Sequence, residues 1–338
     1  MAKKYKIATL GSHSALQILK GAKDEGFETI VVCPKSRVKL YKLFGVADKI
    51  IEVDDFSDFS KVENQLISEN AIMIPHGSYI SYIGHKRVEK SKVLYYGNKK
   101  ILKWEADRNL ERKWLKNSGL KLPRIYKSPK DIDKEVIVKF HGALGGKGFF
   151  FVSNGEVDFN RKITRHEKDK DYIIQEYIIG VPIYIHYFYS PITKKVEIMS
   201  CDRRYESNVD SIGRISARDQ MALQEIDPSY VVVGNFTVTL RESLLPKALE
   251  MGERVVKESQ KIAPPGLLGP FCLETCLTPD QNFYVFEISA RIVAGTNLYI
   301  NGSPLTQINY DEPMSTGRRI ARDIKQAIET DQLDKILK

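Results

Sequence analysis

Hydrophobic and polar positions fall into blocks along the first third of the chain. Tyr5–Leu10, Thr29–Cys33, Lys49–Val53, Ala71–Ile74 and Val93–Tyr96 are apolar runs of strand length, and Ala15–Glu25, Lys39–Phe44 and Phe59–Glu69 between them have helical spacing. This alternation predicts βαβ units around a parallel sheet, which binds ligands beyond the carboxyl ends of its strands. Lys99–Lys116 reads as one helix, with Trp104, Leu110 and Trp114 on its packing face and Asn117-Ser118-Gly119 as its stop. After Leu122-Pro123 the pattern changes to strands in hairpin order: 135–140, 149–152, 171–179, 183–190, 196–201, 269–275 and 283–288, with one long amphipathic helix at Leu244–Lys261. The polar stretch Ser211–Gln220 reads as a mobile connection. The fold class expected is therefore α/β followed by α+β. The units are 1–120 and 121–338, the second divided into a smaller part, 121–180, and a larger one, 181–338.

One stretch joins this pattern to chemistry. Val136–Val152 runs strand, loop, strand, with Lys139 near the end of the first strand and four glycines within 142–148. The backbone N–H groups of Gly145, Gly146 and Gly148, with the charge of Lys147, suit an anion, and Lys139 can project toward the same phosphates. The spacing is neither that of a P-loop nor that of a dinucleotide-binding turn. A hairpin turn with surface lysines is the alternative. Farther on, Gln175, Glu176, Tyr177 and Ile178 offer backbone donor and acceptor edges to a flat base.

Two loops follow strands of the first unit, Gly11-Ser12-His13-Ser14 and Pro75-His76-Gly77-Ser78. Their hydroxyls and imidazoles suit a phosphate-bearing ligand at a helix N-terminus; plain helix capping is the alternative for Ser12 and Ser14. Cys201-Asp202-Arg203-Arg204-Tyr205-Glu206-Ser207-Asn208 reads as a strand end whose arginines match carboxylate or phosphate oxygens, or else as an exposed charged loop. Asn235, after Val231–Val233, can reach the same pocket.

Glu274 and Glu287 each interrupt an apolar run on two strands joined by the turn 278–282. Two carboxylates on facing strands repel unless a cation lies between them, and Mg²⁺ takes carboxylates together with substrate phosphates. A salt-bridged pair without metal is the alternative. Arg291, four residues on, suits a transferring phosphoryl group.

Composition narrows the classes. Of 338 residues 42% are hydrophobic and 28% charged, as in soluble globular proteins. No apolar run approaches membrane-spanning length and the N-terminus enters a strand directly, so a cytoplasmic protein without membrane association is expected. The net charge of +9 is dispersed among acidic residues, without a basic tail or an aromatic-interleaved patch, so nucleic acid is not the expected partner. Cys33, Cys201, Cys272 and Cys276 form neither a C-x-x-C pair nor a zinc set. Apolar residues in Ile178–Tyr189 suit either a core or the interface of a homo-oligomer.

Taken in order, L-G-S-H-S-A-L at 10–16, P-H-G-S at 75–78, G-N-K-K-I-L-K-W-E-A-D-R at 97–108, the glycine loop, R-R-Y-E-S-N at 203–208, G-N-F at 234–236, R-E-S-L-L-P-K at 241–247 and E-I-S-A-R at 287–291 resemble the ATP-grasp superfamily. Within it, the whole chain is similar to the archaeal formate-dependent 5-formaminoimidazole-4-carboxamide ribonucleotide synthetases, the PurP family. The resemblance implies an ATP-grasp fold behind a Rossmann-like N-terminal domain. It implies ligation of formate to the amine of AICAR (5-aminoimidazole-4-carboxamide ribonucleotide), with ATP converted to ADP and phosphate through formyl phosphate, in IMP synthesis. By position, Lys139 and Gly145–Gly148 hold ATP phosphates, Gln175–Ile178 the adenine, and Glu206 the ribose or phosphate side. Glu274 and Glu287 hold Mg²⁺ or Mn²⁺. His13, Ser14, Ser78, Arg204 and Asn235 contact the aminoimidazole nucleotide, with His13 orienting formate or taking the amine proton, and Arg291 and Lys139 stabilise the transferring group. Two positions depart from the superfamily pattern: Ser289 stands where an asparagine completes the metal set, and Val181-Pro182 replaces an acid near the ribose. Another ATP-grasp ligase, joining a different carboxylate and phosphorylated amine, is the alternative.

Overall fold

A computed structural model describes residues 4–140, 149–153, 155–164, 171–222 and 231–337. It contains three sheets. The first comprises β1 (Lys6–Leu10), β2 (Thr29–Pro34), β3 (Lys49–Val53), β4 (Ala71–Met73) and β5 (Leu94–Tyr95), all parallel in the order β3-β2-β1-β4-β5. The strands are short and almost wholly apolar because helices cover both faces. β1 and β4 are neighbours, so the loops after them, at His13 and His76, meet at one end of the sheet.

The second sheet is antiparallel: β6 (Ile125–Tyr126), β7 (Val136–Phe140), β8 (Phe149–Val152) and β9 (Tyr172–Glu176), ordered β6-β9-β7-β8. The third comprises β10 (Val181–Ser190), β11 (Lys195–Glu206), β12 (Val232–Val238), β13 (Gly269–Leu277) and β14 (Phe283–Ser289), ordered β12-β11-β10-β13-β14. The helix Leu245–Ile262 packs its apolar stripe on this sheet through Ala248, Met251, Val255 and Val256. A linker at 177–180 joins the second and third sheets. Gly180 passes so close to Leu277 that a Cβ there would lie 2.5 Å from its carbonyl oxygen.

Several expectations are corrected. The single helix over 99–116 is two, Ile101–Ala106 and Arg108–Asn117. Asp107 between them is extended (φ −100°, ψ 112°) and caps the second helix through its side chain, on Asn109 and Leu110 N–H. The helix expected to begin at Lys39 starts at Lys35, directly after Pro34, whose fixed φ suits a helix entry. β11 extends through Glu206, so Arg203, Arg204 and Glu206 are strand residues rather than a loop at a strand end. Asn235 likewise lies within β12. Ser211–Gln220 lies largely in two short helices, Val209–Ile212 and Ala217–Ala222. Within 178–189, Ile183, Tyr184, Ile185, Tyr187 and Phe188 are buried in the chain's own core, leaving Ile179 and Val181 exposed. The four cysteines are buried and free. Among the described residues no helix is long and apolar enough to cross a membrane.

Candidate active site

A cavity of about 640 Å³ opens between the second and third sheets. Lys139 enters it from β7, and Gln175, Glu176, Tyr177 and Ile178 line it from β9 and the linker. Arg204 and Glu206 enter from β11, Glu274 from β13 and Glu287 from β14. Residues separated by up to 148 positions thus share one wall-to-wall space. Gly145, Gly146, Lys147 and Gly148 lie outside the described residues.

Lys139 is largely enclosed. Loss of solvation lowers its pKa, against the opposing pull of Glu287, Glu274 and Glu111. A lysine facing carboxylates in a drying cleft is suited to receive a polyanion.

Glu274 and Glu287 are direct cross-strand partners. Glu274 is buried, whereas Glu287 is exposed to the cleft. Burial raises the Glu274 pKa to about 7, with repulsion from Glu287 adding to it and Arg204 opposing it. Arg204 forms an ion pair with Glu274 and stacks over the Tyr184 ring at 4.1 Å. A guanidinium therefore already stands beside one member of the pair. The donor set is hard oxygen with negative charge, which fits a magnesium-type cation. Among the described residues no group of three or more His, Cys, Asp or Glu is arranged to hold a metal. Such an ion would be completed by phosphate and water.

The base-binding expectation narrows. Gln175 pairs with Ile125 on one side and Ile137 on the other, so its backbone edges face neighbouring strands. The Tyr177 N–H donates to Glu135 O (2.9 Å), and the Ile178 carbonyl accepts from Cys276 Sγ (3.6 Å). Glu206 is half-buried, and desolvation raises its pKa.

A second cluster sits at the carboxyl ends of β1 and β4. His13 has a left-handed backbone (φ 55°), its ring stacks parallel to that of His76 at 5.3 Å, and its Nδ1 lies 2.8 Å from Ser14 Oγ. Ser14 at the start of its helix makes no side-chain cap, so the capping alternative does not account for it. Ser12 Oγ donates to Ser78 Oγ (3.1 Å). Gly77 leaves room for His13 and Arg291: a Cβ there would lie 2.8 Å from His13 Nε2 and 3.4 Å from Arg291 Cζ. A backbone bridge between His76 and Ile292 holds the first sheet against the continuation of β14. Asn235 sits opposite Arg204 on the neighbouring strand and donates from Nδ2 to Asp202 Oδ2 (2.6 Å), while Asp202 Oδ1 lies 2.7 Å from His186 Nε2. Arg291, Arg204 and His76 all act electrostatically on His13, which ties this cluster to the cavity.

Sequence reasoning missed Glu105 and Glu111, and it named His76 only as part of a ligand loop. His76 is wholly buried, with Nε2 2.9 Å from Leu10 O and Nδ1 accepting from Tyr79 N–H; desolvation first lowers its pKa to about 4. Glu111 was legible in principle, because it precedes Trp114 and Leu115 by three and four residues and so shares their apolar stripe. A larger groove of about 910 Å³, bordered by Lys195, Glu197, Leu249 and Ile308, contains none of these chemical groups.

Two family models match the chain. One, described as a protein of unknown function (DUF1246), covers residues 7–126; the other, a domain of unknown function (DUF1297), covers 153–338. Curated relatives named 5-formaminoimidazole-4-carboxamide-1-(beta)-D-ribofuranosyl 5'-monophosphate synthetase are similar over nearly the whole length. That of Pyrococcus abyssi is 56% identical, covering 98% of each chain. That of Methanocaldococcus jannaschii is 47% identical, covering 98% of this chain and 94% of its own. Among solved structures, the IMP biosynthesis protein PurP of Thermococcus kodakaraensis aligns with a TM-score of 0.76 at 29% identity, over 98% of this chain and 100% of that one. An ADP complex of N5-carboxyaminoimidazole ribonucleotide synthetase aligns at 0.68 with 14% identity, over 95% of this chain and 76% of that one. The biotin carboxylase domain of Hydrogenobacter thermophilus 2-oxoglutarate carboxylase, crystallised with MgADP, aligns at 0.65 with 14% identity, over 95% and 70%. The last two establish the ATP-grasp fold, and the near full-length identities establish the family: the chain belongs to the archaeal PurP family of 5-formaminoimidazole-4-carboxamide ribonucleotide synthetases.

Proposed function

We propose that this chain is an ATP- and formate-dependent ligase that converts AICAR to its formamido product in IMP synthesis, releasing ADP and phosphate. The observation that carries the reading is the convergence of Lys139 from the small sheet with Glu274 and Glu287 from the large sheet, beside the His13–Arg291 cluster. In this reading the loops of residues 1–120, together with Asn235, present the acceptor nucleotide, and the rest of residues 121–338 encloses ATP.

The ATP phosphates lie between Lys139 and the Glu274–Glu287 pair, and the adenine lies against the 175–178 segment. Glu274 and Glu287 would hold Mg²⁺ or Mn²⁺, which would supply positive charge to the phosphate oxygens. A formate oxygen attacks the γ-phosphorus and the bond to the β-γ bridging oxygen breaks, giving ADP and formyl phosphate. Lys139 and Arg291 face the charge that spreads over the phosphoryl oxygens. The AICAR amine then attacks the formyl carbon, the carbon–oxygen bond to phosphate breaks, and the nitrogen's proton passes to the departing phosphate. That amine is a weak nucleophile, so holding it against the anhydride and excluding water supply much of the rate. Ser78 and Asn235 hold the nucleotide. The neutral His13 ring orients formate by hydrogen bonding.

The test is ADP release by the purified protein with Mg²⁺ and ATP, adding formate and AICAR separately and together, with the product mass recorded. ADP release requiring both, with a product heavier than AICAR by one formyl group, supports the assignment; release independent of formate overturns it. Lys139→Met should lower kcat/KM about 100- to 1000-fold with an unchanged melting temperature. Release with a different carboxylate and phosphorylated amine favours the other ATP-grasp ligase reading.

A further inference from the structure

β14 carries Glu287, leads into Arg291, and is the edge strand of its sheet. Edge strands present outward N–H groups with no ladder partner. Here three such groups are engaged. The Val285 N–H donates to Lys121 O (2.8 Å), a main-chain acceptor. The next two donate to carboxylates: Ile288 N–H to Glu111 Oε1 (2.7 Å) and Ala290 N–H to Glu105 Oε2 (3.2 Å). Glu105 Oε1 also lies 3.1 Å from Arg291 Nε. Both acids are enclosed, Glu111 retaining 8% exposure and the Glu105 side chain 11%.

A buried carboxylate is a costly acceptor for an amide that a main-chain carbonyl could satisfy. Each of these two bonds flanks a residue that faces the chemistry: Glu111 grips the residue after Glu287, and Glu105 grips the residue before Arg291. The helix break has the same logic. On a continuous helix, positions six apart are separated by about 9 Å of rise and roughly 240° of rotation, so they face different ways. The amides of Ile288 and Ala290 lie along one line, about 7 Å apart. The extended Asp107 turns the second helix so that both carboxylates meet that line.

We propose that Glu105 and Glu111 are positioning residues that clamp the free edge of β14, Glu111 setting Glu287 toward the cavity and Glu105 setting Arg291. The proposal rests on the reading of Glu287 as a cation ligand and of Arg291 as a contact of the reacting groups. The clamp and that reading are read separately.

The full-length protein is compared with Glu111→Leu, Glu111→Gln and Glu105→Gln. Hydrogen exchange of the peptide spanning β14 reads the clamp, and ADP binding by calorimetry across a Mg²⁺ titration reads the cation site. Glu111→Leu should raise exchange in β14 at least tenfold and weaken the Mg²⁺ dependence about 10- to 100-fold, with metal-free ADP binding unchanged. Glu111→Gln, which keeps an acceptor oxygen, should restore protection and most of the Mg²⁺ affinity. Glu105→Gln should keep Mg²⁺ affinity and raise the KM for formate or AICAR. Wild-type protection and Mg²⁺ affinity in Glu111→Leu overturn the clamp. Should Glu111→Leu fail to fold, Glu111→Ala is read in its place: raised β14 exchange supports the proposal, and wild-type protection overturns it. A wild-type protein whose ADP binding ignores Mg²⁺ sinks the cation reading, while exchange still decides the clamp.

Discussion

His13 shows how one residue's chemistry is set by its neighbours. Its left-handed backbone is strained for a side chain with a Cβ, by about 1–3 kcal/mol, and is held by the Asn297 amide donating to His13 O (3.0 Å). His13 as a residue is exposed. Even so, loss of solvation, followed by His76, Arg291 and Arg204, holds the imidazole far below its ordinary pKa. A ring held low in this way is a weak base near neutral pH, which favours the orienting role over the proton-accepting one. The kcat/KM profile should show no inflection near pH 6.5 that disappears in His13→Gln. That variant should lose about 10- to 100-fold in kcat/KM, the worth of one hydrogen bond to a charged group. An inflection near pH 6.5 present only in the wild type would instead make His13 a titrating base.

At the scale of elements, the 101–117 segment is the most informative. Its periodicity supports one helix, and Trp114 and Leu115 are buried as a packing stripe requires. Asp107 ends that continuity because its carboxylate competes for the next helix's first N–H groups. Asp107→Ala should cost about 1 kcal/mol in urea unfolding, the usual worth of an N-cap. Asp107→Asn should recover most of it. An unchanged midpoint in the alanine variant would show that packing alone fixes the break.

For the whole molecule, the first sheet and the C-terminal segment share one core. Ile7, Ile18 and Ile72 of the parallel unit pack with Phe188 and Met199 of the third sheet and with Ile320, Ile324 and Ile336 near the C-terminus. The helices Ala15–Asp24 and Thr316–Glu329 cross at Gly21 and Gly317, where a Cβ on Gly317 would lie 2.3 Å from Gln17 O. Glu25 joins them through Arg318 Nε (2.7 Å) and Arg322 Nε (2.8 Å). Burial alone would raise its pKa, but the two arginines outweigh burial and lower it. A lowered folded pKa stabilises above the unfolded value, about 4.3, and that contribution is lost as pH falls through the folded value. Glu25→Gln should therefore destabilise the protein by about 2 kcal/mol at pH 7, less than for a fully buried pair because the arginines keep some exposure. The difference from wild type should shrink below about pH 4. A difference independent of pH would mean that packing, not charge, is lost.

The sequence by itself determined what is local. Apolar runs and alternation marked most strands, helical spacing marked Leu244–Lys261 but not Thr316–Glu329, glycine and proline marked element ends, and the positions of Lys139, Glu274 and Glu287 within apolar runs singled them out. Partnership across space was decided by the tertiary structure. Only there do Arg204 meet Glu274, His13 stack on His76, and Glu105 and Glu111 reach the edge of β14. The division of the chain at 119–123 marks a change of pattern, whereas the C-terminal helix returns to the first sheet because its apolar face is buried there. Periodicity says which face of an element is apolar; only packing says which other element covers it.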